Sequence, residues 1–154
     1  MRRNLGRPQH AVDTRERSHA SKVNVVGIRT RAQDELVDIT ADVRRLVRES
    51  GVRRGACVVY VPHTTAGVTI NQSADPDVAR DILEALTNMV PRRAAYHHTE
   101  GNAASHIRAT LVGSSVTIPV EGGDLALGTW QGVFFCEFDG PRARKVYVQV
   151  LPCE

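Results

Sequence analysis

The stretch GACVVYVPHTTAGVTINQSADPDVARD, residues 55–81, decides the fold because it contains two strands and the start of a helix. Its first part, GACVVYV, is short, apolar and β-branched, which predicts a central strand buried on both faces. After the polar break at His63, the segment AGVTINQ predicts the next strand. Asp75 is placed to cap a helix that begins with Pro76, where the missing N–H of proline is harmless.

The rest of the chain continues this mixture of strands and short helices. A helix capped by Thr40 and ended by Gly51 follows two N-terminal strands, and a later helix has Ile107 and Leu111 facing inward. The strands after residue 113 predict a C-terminal antiparallel meander. Because no regular parallel βαβ repeat is present, we predict a single α+β domain with mixed, largely antiparallel sheets and two to three short helices.

The positive charge of the chain is concentrated at its N-terminus. Residues 1–22 carry six basic and two acidic residues, whereas the remainder carries 14 basic and 15 acidic residues. We therefore predict a basic, disordered tail over residues 1–21, a near-neutral domain over residues 22–154 and no nucleic-acid partner. No apolar run approaches the ~20 residues of a membrane helix, so we expect no membrane partner. Three widely spaced cysteines without a C-x-x-C pair favour a reducing cytoplasm.

Four of the six histidines lie between residues 63 and 106. His63 follows the predicted central strand, and His106 lies on a short helix. His97 and His98 lie in the loop between them. A zinc site needs three imidazoles and an open position, and elements of these kinds can converge in space. The spacing matches no established metal signature such as H-E-x-x-H, so the pattern leaves a metal site and unrelated loop histidines as alternatives.

Several other polar residues are candidates for a site. Glu137 interrupts the apolar run VFFCEF, and a buried carboxylate is costly unless it pairs with arginine or histidine or belongs to a site. Asn71 at a strand end, Asp75 at a helix start and Gln131 between glycines each have a structural and a functional interpretation. Arg144 flanks the last turn, where a planar guanidinium is suited to binding phosphate.

The sequence resembles the YjbQ family through the segments PHTTAGVTINQSADPDV, YHHTEGNAASHI, GTWQGVFFCEFDG and PRARKV. The resemblance covers residues 22–151 and implies a compact α+β homotrimer with pockets near the subunit contacts. Family members carry the label of secondary thiamine-phosphate synthase, which joins a thiazole phosphate to a pyrimidine methyl diphosphate. Gln72 departs from the glutamate common in the family, and an amide cannot titrate. The positions that match the family pattern are His63, His98, His106, Asn71, Asp75, Gly128, Thr129, Trp130, Gln131, Glu137 and Arg144.

The residues and the resemblance together give one hypothesis and two alternatives. The hypothesis is a cytoplasmic, metal-binding enzyme for a small anionic, phosphorylated substrate, with thiamine-phosphate synthesis as a secondary activity. Three imidazoles suit Zn²⁺ better than Mg²⁺, which prefers oxygen ligands. The alternatives are a non-catalytic trimeric protein that binds a metabolite or metal, and a protein whose histidines are only structural. The predicted roles are metal binding by His63, His98 and His106, catalysis by Glu137 and Asp75, and substrate binding by Asn71, Thr129, Gln131 and Arg144.

Overall fold

A computed structural model describes residues 22–153, so the disorder predicted for residues 1–21 lies outside the described residues. The described chain alternates strands with three helices, and none of these helices has the length and apolar character that a membrane crossing requires. In chain order the elements are β1 (Val23–Arg29), β2 (Glu35–Asp38), α1 (Thr40–Ser50), β3 (Arg54–Tyr60), β4 (Ala66–Gln72), α2 (Pro76–Met89), α3 (Ala103–Val112), β5 (Ser115–Glu121), β6 (Asp124–Leu125), β7 (Gln131–Glu137) and β8 (Ala143–Pro152).

The strands form two antiparallel sheets. The larger sheet has the strand order β1-β8-β3-β5-β6, and the smaller sheet has the order β2-β7-β4. The predicted α+β class is therefore confirmed. The predicted C-terminal meander is wrong, because β7 joins the smaller sheet while β8 inserts between β1 and β3 of the larger one. Alternating hydrophobicity assigns the two faces of a strand, but it does not specify the partner strands.

The main core lies between the two sheets. It includes Val148 of β8 and Phe135 of β7, and α1 contributes Val43. A second apolar cluster, which includes Cys136 and Phe138, packs against side chains of α2 and α3. Because successive side chains of a strand point to opposite faces, β7 separates these two clusters. The molecule thus consists of the larger sheet, the smaller sheet and a layer formed by α2 and α3.

The strand that is buried on both faces is β7 and not β3. Every residue of β7 after Gln131 is buried. In β3 only Cys57 and Val59 are buried, and Tyr60 is 44% exposed. The prediction of a doubly buried strand for GACVVYV is therefore wrong for residues 22–153, in which α1 and the smaller sheet cover only one face of the larger sheet.

The outer face of the larger sheet, which no other described element covers, is rich in apolar side chains. The strand register places Val25, Tyr147 and Tyr60 in one row across β1, β8 and β3, and it pairs Leu151 with Ala56. Val25 is 61% exposed and Leu151 is 39% exposed. Exposed apolar surface of this extent commonly marks a contact with another protein.

Local hydrogen bonds explain where two of the helices begin. Asp75 Oδ1 accepts the N–H of Asp77 at 2.9 Å, which is the predicted cap of α2. The predicted cap of α1 by Thr40 is wrong, because Asp38 Oδ1 accepts the N–H of Thr40 at 2.9 Å. The Thr40 hydroxyl instead accepts the N–H of Val133 in β7 at 2.9 Å, which ties α1 to the smaller sheet.

Helix α3 buries a different face from the predicted one. Ile107 and Leu111 are 39% and 55% exposed, whereas Arg108 is only 1% exposed. The Arg108 guanidinium donates to the Val90 carbonyl at 2.7 and 3.1 Å and to Asp34 Oδ1 at 2.9 Å. These bonds compensate for the burial of the charge. The spacing of apolar residues along the helix does not reveal that a charged side chain is buried.

Candidate functional site

A buried ion pair joins the two sheets at one end of the core. Glu137 is the last residue of β7, and Arg144 is the second residue of β8. Arg144 Nε donates to Glu137 Oε2 at 2.8 Å, and Arg144 Nη2 donates to Oε1 at 2.6 Å. Glu137 is fully buried, and Arg144 is 8% exposed. This two-point contact fixes the plane of the guanidinium group.

Further donors saturate the Glu137 carboxylate. Oε1 also accepts the N–H groups of Phe138 and Asp139, each at 3.0 Å, and Oε2 accepts the hydroxyl of Thr30 at 2.9 Å. Burial alone would raise the pKa of Glu137, but the hydrogen bonds from Arg144 and these donors outweigh it and hold the pKa below its ordinary value. The carboxylate bonds to Arg144 and not to a histidine, so its geometry suits positioning Arg144 rather than the predicted catalytic role.

The ion pair leaves one amino group of Arg144 for a ligand. Arg144 Nη2 also donates to the Thr65 hydroxyl at 2.8 Å, so the hydrogen bonds within residues 22–153 engage Nε and Nη2 and leave Nη1. Arg144 lines a cleft of about 630 Å³ beside the β3–β4 connection and the start of α3. The other residues that line this cleft are Tyr60, Pro62, His63, Thr64, Thr65, Glu100, Asn102, His106, Asp139 and Arg142.

His63 lines the cleft as a neutral hydrogen-bond donor. Its Nε2 accepts the backbone N–H of Lys145 at 3.1 Å, which places the ring proton on Nδ1. Burial, followed by the positive charge of Arg144, lowers the pKa of His63 below its ordinary value of 6.5. The imidazole is therefore uncharged near neutral pH, and its Nδ1–H donates no hydrogen bond to the part of the chain that the structure describes.

His98 and His106 form a pair on the helix side of the cleft. Their rings meet edge to face, with the centroids 5.3 Å apart. His98 Nε2 lies 3.7 Å from Glu100 Oε2. His106 and His63 also line a second cavity of about 500 Å³, so these two histidines share both spaces. His97 is exposed in the loop before α3, as the sequence predicts.

The three histidines predicted as metal ligands do not form a metal site as they stand in this chain. Within residues 22–153, no three His, Cys, Asp or Glu side chains are arranged to hold a metal ion. His63 contributes to this mismatch because the N–H of Lys145 occupies its Nε2. The donor set of a single chain therefore does not fit a three-imidazole zinc centre, and we assign no chemical step to a metal.

Four predicted site residues lie at the other end of the smaller sheet. The register pairs Glu137 with Ala66 at one end of β4 and Gln131 with Gln72 at the opposite end. Six residues of extended strand span roughly 20 Å, so one small ligand cannot reach both ends in a single chain. The separated residues are Asn71, Asp75, Thr129 and Gln131.

These distant residues have local structural roles. Asp75 caps α2. Gln131 Oε1 accepts the N–H of Gly128 at 2.8 Å and closes the turn before β7. Asn71 Oδ1 accepts the N–H of Gln72 at 2.8 Å, and Thr129 is exposed in the turn. The structure therefore brings Arg144, His63, His98 and His106 together. The four predicted site residues at the opposite end of the smaller sheet lie apart from them.

Asn102 and Asp139 line the cleft, although neither was among the predicted site residues. Asn102 Nδ2 donates to Asp139 Oδ2 at 3.1 Å, and Arg142 Nη2 donates to the same oxygen at 2.9 Å. Asn102 directly precedes α3, and Asp139 lies in the connection between β7 and β8. The only signal for a further role was their position inside two of the segments that resemble the YjbQ family.

Residues 24–153 match the family model described as UPF0047 protein YjbQ-like. The chain belongs to the UPF0047 (YjbQ-like) family. A UPF0047 protein of Methanocaldococcus jannaschii is 50% identical over 124 residues, which cover 80% of this chain and 90% of the relative. The UPF0047 protein YugU of Bacillus subtilis is 47% identical over 125 residues, which cover 80% of this chain and 95% of the relative.

Solved structures of UPF0047 proteins share the fold. The Clostridium acetobutylicum protein is 52% identical with a TM-score of 0.82, over 83% of this chain and 99% of that one. A protein of Sulfolobus solfataricus is 33% identical with the same TM-score of 0.82, over 86% of this chain and 97% of that one. The first is described as uncharacterised and the second as of unknown function. The similarity therefore shows the fold, whereas an activity has to be argued from the residues of the cleft.

Proposed function

We propose that the cleft binds a small phosphorylated molecule and that the protein acts on it as an enzyme. The observation that carries this proposal is the buried Arg144 guanidinium, which Glu137 and Thr65 hold in one orientation while Nη1 has no partner among the described residues. A guanidinium that is already ordered loses little conformational freedom when it binds an anionic oxygen. The Nδ1–H group of His63 supplies a second donor in the same cleft.

His106 is the candidate proton donor or acceptor of the reaction. It lines both cavities, and unlike His63 it has, within residues 22–153, no side-chain hydrogen bond that fixes one ring nitrogen as an acceptor. A histidine in this position can protonate a leaving group or accept a proton from a nucleophile. Thiamine-phosphate synthesis is part of the proposal as a secondary activity, because both of its substrates are small phosphorylated compounds.

A bound divalent metal is a further prediction, with Zn²⁺ preferred to Mg²⁺ because imidazoles are the available ligands. His63, His98 and His106 would have to rearrange, or a second chain would have to contribute, before they could form such a site. Metal analysis of the purified protein and of His106→Ala tests the prediction. Equal metal content in the two proteins would contradict a histidine site.

We also propose that the protein is a cytoplasmic homotrimer. The exposed apolar outer face of the larger sheet supports self-association. The cysteines are all unpaired, which supports a reducing compartment.

Calorimetric titration with inorganic phosphate tests the proposed anion site. Arg144→Lys keeps the charge but loses the two-point contact with Glu137, so we expect phosphate affinity to fall by about tenfold. Arg53→Lys, outside this cleft, is the matched control and should bind phosphate as the wild type does. Equal phosphate affinity in Arg144→Lys and the wild type would contradict the site.

A non-catalytic binding protein is the second candidate. The observation in its favour is the saturated Glu137 carboxylate, which removes the best-placed candidate base. A turnover screen of small phosphorylated compounds, run on the wild type and on His106→Asn, separates the candidates. Turnover that His106→Asn lowers by about a hundredfold supports the enzyme. Phosphate binding without turnover in the wild type supports the binding protein.

A further inference from the structure

The second cavity lies beside the cleft and shares a wall with it. Its volume is about 500 Å³, and that of the cleft is about 630 Å³. His63, Thr64 and His106 line both spaces, so a ligand in the cleft contacts the same side chains as a group in the second cavity. The other residues that line the second cavity are Ala66, Ala109, Thr110, Gly113 and Ser114.

The two spaces differ in charge. The cleft is lined by two carboxylates, those of Glu100 and Asp139, and by the guanidinium groups of Arg142 and Arg144. None of the described residues that line the second cavity is Asp, Glu, Lys or Arg. A charged group placed there would lose water without gaining an opposite charge, whereas an uncharged organic group would lose little. The second cavity therefore suits the uncharged part of a ligand.

Backbone hydrogen bonds hold one side of the second cavity in place. The connection from α3 to β5 forms this side, and there the Ser114 carbonyl accepts the N–H of Val61 at 2.8 Å. The Gly113 carbonyl accepts the N–H of Val68 of β4 at 3.1 Å. Because these bonds tie the connection to both β3–β4 and β4 itself, the space is formed before a ligand enters, and little binding energy is lost in ordering it.

The shared wall lies next to the proposed phosphate position. Arg144 Nη2 donates to the Thr65 hydroxyl at 2.8 Å. The two chain neighbours of Thr65, which are Thr64 and Ala66, both line the second cavity. Consecutive Cα atoms are about 3.8 Å apart, so a single residue separates the contact with Arg144 from the second cavity. A group attached directly to the phosphate therefore reaches this cavity.

We infer that the substrate is a phosphate monoester of an uncharged, ring-sized organic group, which occupies the second cavity while the phosphate binds at Arg144. This substrate class rests on the proposed function, which supplies the phosphate position. A cavity of about 150 Å³ is already enough for benzene, so the second cavity has room for a ring. Thr110 of α3 lines the second cavity but not the cleft, so its size limits the organic group without affecting the phosphate.

Methylphosphonate and benzylphosphonate test the inference by calorimetric titration of the full chain. The two compounds differ by one phenyl ring, and their carbon–phosphorus bonds resist hydrolysis during the measurement. We expect benzylphosphonate to bind the wild type about tenfold more tightly, because its ring leaves water. In Thr110→Trp the indole occupies the second cavity, so this preference should fall to within about twofold while methylphosphonate binds as before.

Thr87→Trp is the matched control for Thr110→Trp. Both threonines are exposed on a helix, and each hydroxyl donates to the carbonyl four residues earlier, Thr87 at 2.8 Å and Thr110 at 2.9 Å. The two variants therefore make the same chemical change, but only Thr110 lines the second cavity. Thr87→Trp should keep the preference for benzylphosphonate.

Nuclear Overhauser measurements locate the ring in the wild type without any substitution. We expect contacts from the ring protons of benzylphosphonate to the methyl groups of Ala66, Ala109 and Thr110, which line the second cavity. Ala85, on the exposed surface of α2, should show no contact. A ring that contacts none of the three methyl groups would overturn the inference.

Inorganic phosphate separates failure of this inference from failure of the proposed function. A wild type that binds inorganic phosphate but does not prefer benzylphosphonate overturns the inference alone, as does a full preference in Thr110→Trp. A wild type that binds neither the phosphonates nor inorganic phosphate overturns the proposed function itself. Ser114→Trp, at a second exposed position of the same cavity, replaces Thr110→Trp if that variant does not fold.

Discussion

At the scale of single residues, the Glu137–Arg144 pair is the interaction on which the site depends most. Arg144→Met removes one partner and leaves a fully buried carboxylate without its counter-charge. We expect this variant to lose about 3–5 kcal/mol of unfolding free energy, measured by urea denaturation. The double variant Glu137→Leu with Arg144→Met removes both charges and should recover most of that loss. A single variant that loses less than about 1 kcal/mol would contradict a tightly coupled pair.

His63 should titrate below its ordinary pKa and carry its proton on Nδ1. Its folded pKa lies below 6.5, so the unfolded chain binds the proton more readily. The contribution of His63 to stability is therefore complete above about pH 6.5 and is lost as the pH falls from there to the lowered folded pKa. Nitrogen-15 NMR of the imidazole measures both the tautomer and the pKa. In Arg144→Met the pKa should rise, because a nearby positive charge is gone, and an unchanged pKa would show that burial alone lowers it.

At the scale of elements, the junction of β4 and α3 is closely packed and should not tolerate a side chain. A Cβ on Gly67 would lie 2.6 Å from the Gly113 carbonyl and 3.1 Å from Val112 Cγ1 at the end of α3. We expect Gly67→Ala to lose about 1–3 kcal/mol of unfolding free energy, because the backbones must separate. In Gly27→Ala nothing lies within 4 Å of the new methyl group, so the change should stay within about 0.5 kcal/mol. Equal stability of the two variants would contradict this packing.

The sequence predicted those features of the helices and strands that depend on residues close to one another in the chain. The cap of α2 by Asp75 follows from a single hydrogen bond to Asp77, which lies two positions away. The buried face of α3 depends on the contact between Arg108 and Asp34, which are 74 positions apart. The pairing of β7 and β8 with strands from the first half of the chain is equally remote. No local pattern contains the information that fixes such contacts.

The candidate site was predictable only in part, because it also depends on contacts between residues that are far apart in the chain. His63 follows a strand and Arg144 lies at the start of one, and the two residues line one cleft. The sequence already argues against a small site shared by Asn71 and His63. The strand AGVTINQ between them is extended and holds its ends roughly 20 Å apart. The hydrogen bond from Asn102 to Asp139 could not be foreseen, since the two residues lie 37 positions apart in the chain.

At the scale of the whole molecule, the outer face of the larger sheet connects assembly with the cleft. Tyr60 belongs to both, since it lies in the row with Val25 and Tyr147 and also lines the cleft beside His63. A second copy that covers this face would therefore stand at the mouth of the cleft. This arrangement would bury the apolar row and limit the access of water to the ligand.

Val25→Lys should dissociate the proposed homotrimer without unfolding the chain. Val25 is 61% exposed in the single chain, so a lysine there is harmless to the core but places a charge in the interface. Size-exclusion chromatography with light scattering should give three times 16.9 kDa for the wild type and the single-chain mass for Val25→Lys. Met89→Lys, at a 69% exposed position on α2, is the matched control and should remain trimeric. A wild type with the mass of one chain would rule out the trimer. A trimeric Val25→Lys would show that the interface lies on another face of the molecule.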